Sequence, residues 1–264
     1  MDKRAIGVFD SGLGGLTVVK AIRQVLPHES VIYIGDTARV PYGTRSAETI
    51  KQFALEVTQR LMREKVKVVL VACNTISALA LPEIRKLVKV PVLGVIEPTV
   101  KRALETTHTK RIAVVGTTAT IGSGVYQIMI KHLDPEVQVT AKATPLLVPI
   151  VEEGLWQHPV AKLMVEEYLQ FVKDNHQIDT LILGCTHYPV LTSVMENYLG
   201  KGVLVVDSAR PTAEVLKRLL KENNLMADGA KPVELLFTSD NPSKSGKLAE
   251  ALLGERVELK QISL

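Results

Sequence analysis

The sequence predicts an α/β protein with two pseudo-symmetric α/β domains, mostly parallel sheets, and the active site in the cleft between them. Short β-branched runs alternate with longer amphipathic patterns, which is typical of successive βαβ units. Two parts of the chain superpose at similar offsets. The 264 residues, 46% hydrophobic and 23% charged, have the composition of an ordinary globular protein.

The first series of elements occupies the N-terminal third of the chain. AIGVFD predicts a strand followed by a helix to about Gln24. VIYIGD predicts a second strand, with a helix from about Ala47 to Glu64. KVVLVAC predicts a third strand that leads into another helix, marked by Leu79, Ile84 and Leu87. Strands alternating with helices in this way favour a parallel sheet.

A second series begins near residue 98, with RIAVVG, QVTAKATP and TLILGC as its strands. Superposing VKVVLVACNT on IDTLILGCTH aligns Cys73 with Cys185, which lie 112 residues apart. RAIGVFDSG superposes on RIAVVGTTA at an offset of 107 residues. We interpret the similar offsets as two halves of one architecture.

The C-terminal elements are predicted to complete the sheet of the first half. KGVLVVDSAR indicates another buried strand, which is followed by the helix pattern TAEVLKRLLKEN and a last strand around ELLFTSD. The predicted first domain is therefore discontinuous, with residues 1–97 and 207–264. The second domain, residues 98–206, is inserted between these segments, and the chain crosses near 97–99.

Composition narrows the classes of partner. The net charge is only +4, with basic and acidic residues interspersed, so we expect no nucleic-acid surface. We also expect a cytoplasmic protein, because neither a signal-peptide pattern nor an apolar run long enough to cross a bilayer is evident. Two cysteines exclude a disulfide framework, and both are expected as free thiols in the cytosol.

Both cysteines follow predicted strands and precede polar residues: Asn74, Thr75 and Ser77 after Cys73, and Thr186 and His187 after Cys185. Capping side chains would place Cys73 at a helix N-terminus, where free backbone N–H groups lower a thiol pKa. Ligands of open α/β sheets bind at the carboxyl ends of strands, so the two thiols are expected to face each other across a cleft.

Several chemistries use cysteines. A redox-active cysteine pair is possible, although the C-x-x-C motif is missing. A zinc site would need four ligands, and His187 is the only histidine beside either cysteine. A cysteine hydrolase would leave Cys73 unexplained. Two-base proton transfer uses both thiols, because one takes a proton from one face of a carbon while the other gives a proton to the opposite face.

The other polar positions fit a small zwitterionic ligand. They are Asp10 and Ser11, the turn GDTARVPYGTRS, and Thr117, Thr118 and Thr120. Hydroxyls and N–H groups bind carboxylates, and Asp10 would receive an ammonium group or orient a cysteine. Each of these residues also has an ordinary use as a cap or a turn residue.

The stretch GVFDSGLGGLTVV leaves two competing functions open. Gly12, Gly14 and Gly15 resemble a dinucleotide-binding turn, which would suggest an NAD(P)-dependent oxidoreductase, but Thr17 occupies the third glycine position. The carboxylate of Asp10 would also repel a pyrophosphate. A two-domain amino-acid-binding module without catalysis is the other alternative, and neither function needs two thiols.

Seven motifs taken together resemble the cofactor-independent glutamate racemases of bacteria, within the aspartate/glutamate racemase family. They are GVFDSGLGGLTV, GDTARVPYGTRS, ACNTISALAL, GVIEP, GTTATIGSGVY, PIVEEG and GCTHYPVL. The resemblance covers nearly the whole chain. It implies interconversion of L-glutamate and D-glutamate to supply peptidoglycan synthesis, with no cofactor, no metal, no nucleic acid and no membrane, and with a homodimer as an expectation.

The resemblance also implies roles for individual residues. Cys185 would deprotonate L-glutamate and Cys73 would deprotonate D-glutamate. Asp10 would assist Cys73, while Glu152 and His187 would assist Cys185. The implied substrate contacts are Asp10, Ser11, Tyr42, Gly43, Asn74, Thr75, Thr117, Thr120, Thr186 and His187. Aspartate racemases, the alternative within the superfamily, usually carry Glu where His187 stands.

Overall fold

The strands form two separate parallel sheets. The computed structural model describes residues 2–227, 229 and 231–264, so Met1, Asp228 and Ala230 of the predicted first domain lie outside the described residues. The strands are β1 (Ile6–Asp10), β2 (Val31–Gly35), β3 (Val68–Val71), β4 (Val92–Gly94), β5 (Arg111–Gly116), β6 (Gln138–Ala143), β7 (Thr180–Gly184), β8 (Leu204–Val206), β9 (Glu234–Thr238) and β10 (Leu259–Gln261).

The first sheet has the order β10-β9-β2-β1-β3-β4, and the second sheet has the order β6-β5-β7-β8. The segment β2-β1-β3-β4 therefore repeats as β6-β5-β7-β8, with all pairings parallel. Cys73 and Cys185 follow equivalent strands, β3 and β7. The strand alignment read from the sequence is thus matched by topology.

Helices connect the strands of both sheets, as parallel pairing requires. They are α1 (Leu16–Val25), α2 (Ala47–Met62), α3 (Asn74–Leu79), α4 (Leu81–Leu87), α5 (Ile96–Thr106), α6 (Thr118–Gly122), α7 (Val125–Leu133), α8 (Leu147–Glu152), α9 (Pro159–Asp174), α10 (Thr192–Leu199), α11 (Ala209–Glu222) and α12 (Pro242–Leu253). No helix within the described residues is both long and apolar enough to cross a membrane.

Two sequence predictions differ from the structure. The segment 201–210 contributes β8, but β8 pairs with β7 in the second sheet and not with the first sheet. It is an edge strand, and Leu204 is exposed. The helix predicted after Cys73 is two short helices, α3 and α4, because Pro82 lies in the first turn of α4 and cannot continue a preceding helix.

The two sheets share one apolar core. A single cluster of buried side chains includes Val8 and Leu70 of the first sheet together with Val115 and Leu183 of the second sheet. Helix α11, which carries Leu216 into this cluster, packs on α1 and α5. The strand membership agrees with an inserted second domain, while the exact limits 1–97, 98–206 and 207–264 stay a prediction.

Candidate active site

A small cavity lies at the carboxyl ends of strands from both sheets, where ligands bind in open α/β folds. The empty space between its walls is about 320 Å³, including the part that is open to solvent. Cys73 and Cys185 both line it, and both are buried free thiols. The full lining is Ser11, Val40, Pro41, Tyr42, Gly43, Cys73, Asn74, Thr75, Thr117, Val148, Cys185, Thr186 and His187.

Most of the predicted site residues therefore meet at one place. Three of them are not in direct contact with the cavity: Asp10, Glu152 and Thr120. Each of these three is bonded to, or acts electrostatically on, a residue that does line it. Thr118 does not line the cavity. The capping role expected of Ser77 is not seen, because α3 has no side-chain cap and Ser77 Oγ donates to the carbonyl of Val71.

Cys73 is the N-cap residue of α3, and its sulfur lies 3.3 Å from Ser11 Oγ. The prediction that the helix terminus lowers its pKa is wrong in net direction. Burial raises the pKa of the Cys73 thiol, and the charge of Asp10 raises it further. Hydrogen bonds from Ser11 and the backbone of Ile76 oppose the rise but are smaller. Cys73 is therefore held as the neutral thiol at pH 7.

Asp10 is completely buried at the end of β1. Its Oδ2 accepts a hydrogen bond of 2.8 Å from the backbone N–H of Gly15. Among the described residues, no donor meets Oδ1. An unsatisfied buried carboxylate oxygen is costly, so this atom is suited to receive a cationic donor from a ligand.

Cys185 has different neighbours. It is followed by a 3-10 turn over Tyr188–Leu191, and its sulfur lies 3.8 Å from His187 Nδ1. On the other side of the ring, His187 Nε2 lies 2.5 Å from Glu152 Oε1. Burial alone would lower the pKa of His187, but its bonds to Cys185 and Glu152 outweigh burial and raise that pKa well above the ordinary value.

Three threonine hydroxyls join the two sheets beside the cavity. Thr75 Oγ1 lies 2.9 Å from Thr117 Oγ1 and 3.1 Å from Thr120 Oγ1, and the last two are 2.9 Å apart. Thr117 also caps α6 by accepting from the backbone N–H of Thr120. This cluster offers rotatable hydroxyl donors to an anion without any cationic side chain.

Tyr42 lines the cavity, but the hydrogen of its hydroxyl is already donated to Asp36. The ring and backbone of Tyr42 are therefore what a ligand would meet. Asp36 is not among the residues predicted from the sequence, although it directly follows β2 and so lies near the same sheet edge as Asp10, the last residue of β1. Tyr126 and Ser208, which bond to Asn74, were also not singled out.

Within the described part of the chain, no group of three or more His, Cys, Asp and Glu side chains is arranged to hold a metal ion. The cavity lining given above contains no Lys or Arg. The described site can thus act on a small polar ligand through thiols, hydroxyls, amides and the pair of Glu152 and His187.

Comparisons with known proteins show which family this chain resembles. Residues 14–216 match the family model described as Asp/Glu/Hydantoin racemase. The chain is 49% identical to a glutamate racemase of Aquifex aeolicus over 97% of this chain and 96% of the relative.

Two solved structures are similar over the full length. A glutamate racemase isoform of Bacillus anthracis has a TM-score of 0.96 and 38% identity, covering 100% of this chain and 99% of that one. A glutamate racemase of Francisella tularensis in complex with D-glutamate has a TM-score of 0.93 and 37% identity, covering 100% and 98%. The chain belongs to the Asp/Glu/Hydantoin racemase family.

Proposed function

We propose that this protein interconverts L-glutamate and D-glutamate by proton transfer between two cysteines. One observation carries the proposal: Cys73 and Cys185, at equivalent strand ends of two sheets, line the same small cavity. Relatives of this chain at 43% and 49% identity are named glutamate racemases, and one solved relative is described in complex with D-glutamate.

In the L-to-D direction, the Cys185 thiolate removes the Cα proton of L-glutamate and becomes a thiol. The electron pair of the broken C–H bond remains on Cα and delocalises into the adjacent carboxylate. The Cys73 thiol then gives its proton to the opposite face of Cα and becomes the thiolate. The raised pKa of Cys73 supports its role as the proton donor in this direction.

In the D-to-L direction Cys73 must act as the base, although burial and Asp10 disfavour its thiolate. We propose that the ammonium group of the substrate binds on the Asp10 side of the cavity, because Oδ1 of Asp10 has no partner among the described residues, although Asp10 lies just behind the residues that line the cavity. The positive charge then offsets the charge of Asp10 at the sulfur. Asp10 thus acts as a receptor for the ammonium and as an assistant to Cys73.

On the Cys185 side, protonated His187 stabilises the thiolate, and Glu152 keeps His187 protonated. Asn74, Thr75 and Thr186 offer donors to one carboxylate of the substrate. The hydroxyl cluster of Thr117 and Thr120, with the backbone of Gly43, faces the other carboxylate. Preorganised donors of this kind stabilise the charge that develops when Cα loses its proton.

We propose that the reaction takes place in the cytoplasm, needs no cofactor or metal, and supplies D-glutamate for peptidoglycan. We also propose that the protein forms a homodimer, and that residues 1–97 with 207–264 and residues 98–206 are its two domains.

The reaction in D2O tests the proposal. Purified reduced protein, given L-glutamate and EDTA but no cofactor, should form D-glutamate that carries deuterium at Cα. The deuterium comes from the Cys73 thiol, whose hydrogen exchanges with D2O before it is transferred to the opposite face of Cα. Failure to form D-glutamate would contradict the proposal. Faster racemisation of L-aspartate than of L-glutamate would show that aspartate, not glutamate, is the substrate.

Substitution of each base tests the mechanism. Cys73→Ser and Cys185→Ser should each lower kcat by about 10²-fold to 10⁴-fold, the range expected for losing a general acid or base. Serine keeps the size of the side chain, so circular dichroism and thermal unfolding should change little. Near-normal turnover by either folded variant would contradict the two-base assignment.

A further inference from the structure

We propose that Tyr126, which does not line the cavity, positions Asn74 for carboxylate binding. This inference rests on the proposed function, because Asn74 is there a substrate donor. Tyr126 is a positioning residue, since it acts through Asn74.

The phenol of Tyr126 makes a short and well-defined contact. Its hydroxyl donates a hydrogen bond of 2.6 Å to Asn74 Oδ1. The ring is 1% exposed and belongs to the core beside the second sheet. Burial raises the pKa of Tyr126 above its ordinary value, so the O–H is retained as a donor at neutral pH.

This bond favours one orientation of the Asn74 amide, because a turned amide would leave the buried Tyr126 hydroxyl without Oδ1 as its acceptor. An asparagine amide has an accepting oxygen and a donating nitrogen, which a 180° turn would exchange. With Oδ1 directed at Tyr126, Nδ2 lies 3.4 Å from Ser208 Oγ and keeps a second hydrogen for the cavity. If the amide turned, its oxygen would face the substrate carboxylate and repel it.

The neighbours of Tyr126 hold its ring in place. A Cβ on Gly184 would lie 3.2 Å from Tyr126 Cε2, so the ring packs against the residue that precedes Cys185. Asn74 follows Cys73, whereas Tyr126 is in α7 beside the second sheet. The contact therefore orients a donor next to one base from the side of the other base.

Ser208 supplies the remaining fixed contact, and it lies where the chain leaves the second sheet and enters α11. Its hydroxyl is buried and 3.4 Å from both amide atoms of Asn74. These longer contacts are weaker than the 2.6 Å bond from Tyr126. Tyr126 is thus the main determinant of the amide orientation, and Ser208 is secondary.

Tyr126→Phe is the primary test, because phenylalanine keeps the ring and its packing. We expect kcat/KM to fall about tenfold, the factor for one lost buried hydrogen bond. The fall must be equal for L-glutamate and D-glutamate, since the equilibrium constant of racemisation is one. The matched control is Tyr188→Phe, which removes another buried phenol, bonded to Thr144, and should lose similar stability without the tenfold loss of kcat/KM.

A double-mutant cycle with Asn74→Ala separates positioning from general destabilisation. In the Asn74→Ala background, Tyr126→Phe should change kcat/KM less than twofold, because no amide remains to be oriented. Independent, multiplied effects of the two substitutions would overturn the inference. Unchanged kcat/KM in Tyr126→Phe alone would overturn it equally.

Binding of glutarate, a dicarboxylate without an ammonium group, provides a readout that does not need turnover. Its Kd should rise about tenfold in Tyr126→Phe. If the wild-type protein fails to racemise glutamate, the proposed function fails, while the glutarate measurement still tests the orientation of Asn74. Should Tyr126→Phe not fold, Ser208→Ala is the second variant, with a twofold to threefold rise in Kd that disappears in the Asn74→Ala background.

Discussion

At the level of single residues, the two thiols lie at equivalent strand ends but have different electrostatic neighbours. Cys73 has the buried carboxylate of Asp10 on its side, and Cys185 has the imidazole of His187, itself bonded to Glu152. A carboxylate disfavours a neighbouring thiolate, whereas an imidazolium favours it. Two sheets of matching strand order therefore hold an asymmetric pair of bases.

The first prediction concerns the reactivity of Cys73. Because the charge of Asp10 raises the pKa of Cys73, Asp10→Asn should lower that pKa and increase the thiolate fraction at pH 8. The thiolate is the reactive form, so iodoacetamide should modify Cys73 faster in the variant. Peptide mass spectrometry after timed quenching measures the rate at each cysteine separately.

The Cys185 peptide of the same samples is the internal control, and its rate should stay within about twofold because Asp10 belongs to the other thiol. The acceleration at Cys73 should shrink as the pH rises, since the wild-type thiol then also ionises. Equal rates for Cys73 in both proteins at pH 8 would contradict the electrostatic role of Asp10.

At the level of elements, the segment from Asp36 to Ser46 forms one wall of the cavity and is fixed from behind. Buried Asp36 accepts from the hydroxyl of Tyr42, from Arg39 Nε at 2.6 Å and from Ser239 Oγ at 2.8 Å. Arg39 also stacks on Phe53, with its guanidinium carbon 4.1 Å from the ring centre. The wall is thereby attached to Ser239, the residue that follows β9, and β9 is the neighbour of β2 in the first sheet.

The second prediction follows from this attachment. Asp36→Asn replaces an accepting oxygen by an NH2 group that faces donors, so we expect a loss of about 2–3 kcal/mol in the free energy of unfolding. KM for glutamate should rise as well, because Tyr42 and Gly43 lose their fixed position. Urea denaturation and initial-rate kinetics measure the two effects.

Asp240→Asn serves as the comparison, because Asp240 lies beside the same network. Among the described contacts, Asp240 bonds to Thr37 Oγ1 through its backbone N–H, which the substitution leaves in place. It should leave both quantities nearly unchanged. An Asp36→Asn protein with wild-type stability and KM would show that the wall does not depend on this carboxylate.

The sequence predicts an element well where its hydrophobic periodicity is strong. It predicts poorly which strand pairs with which, and it misses short exposed strands. The sequence predicts helix α2 from Ala47 to about Glu64, and the helix runs from Ala47 to Met62. The prediction is close because the amphipathic pattern is long and Ser46 caps the helix. Strand β8 was assigned to the wrong sheet, since three residues carry no information about their partner. Strand β10, only Leu259–Gln261 and mostly exposed, has no apolar pattern to detect.

The candidate site divides in the same way. Residues in contiguous motifs, such as Cys73 and Cys185 with their neighbours, were identified from the sequence and meet at one cavity. The partners that orient them were missed. Tyr126 and Ser208 are 52 and 134 residues from Asn74, and only the folded chain brings their hydroxyls to its amide.

At the scale of the whole molecule, the glycine-rich turn after β1 determines how closely the two sheets approach. A Cβ on Gly14 would lie 2.5 Å from Thr186 Oγ1 and 2.9 Å from the backbone nitrogen of His187. Real Cβ atoms essentially never come this close to a neighbour, so a side chain here would force either the turn or the segment at Thr186 and His187 to shift. Gly14 has no side chain at the point where the turn after β1 contacts Thr186 and His187. This absence lets the first half approach the second half closely.

The third prediction uses this contact. Gly14→Ala should displace the turn from the segment at Thr186 and His187, which changes the distance between the two bases. Because proton transfer depends steeply on geometry, kcat should fall about 10²-fold, while overpacking costs only about 1–3 kcal/mol of stability. Gly202→Ala, where nothing lies within 4 Å of the added carbon, should keep wild-type activity. A folded Gly14→Ala protein with normal kcat would mean that other contacts set the distance between the two halves. The expected loss would show that this turn sets the distance at which Cys73 and Cys185 reach the same Cα.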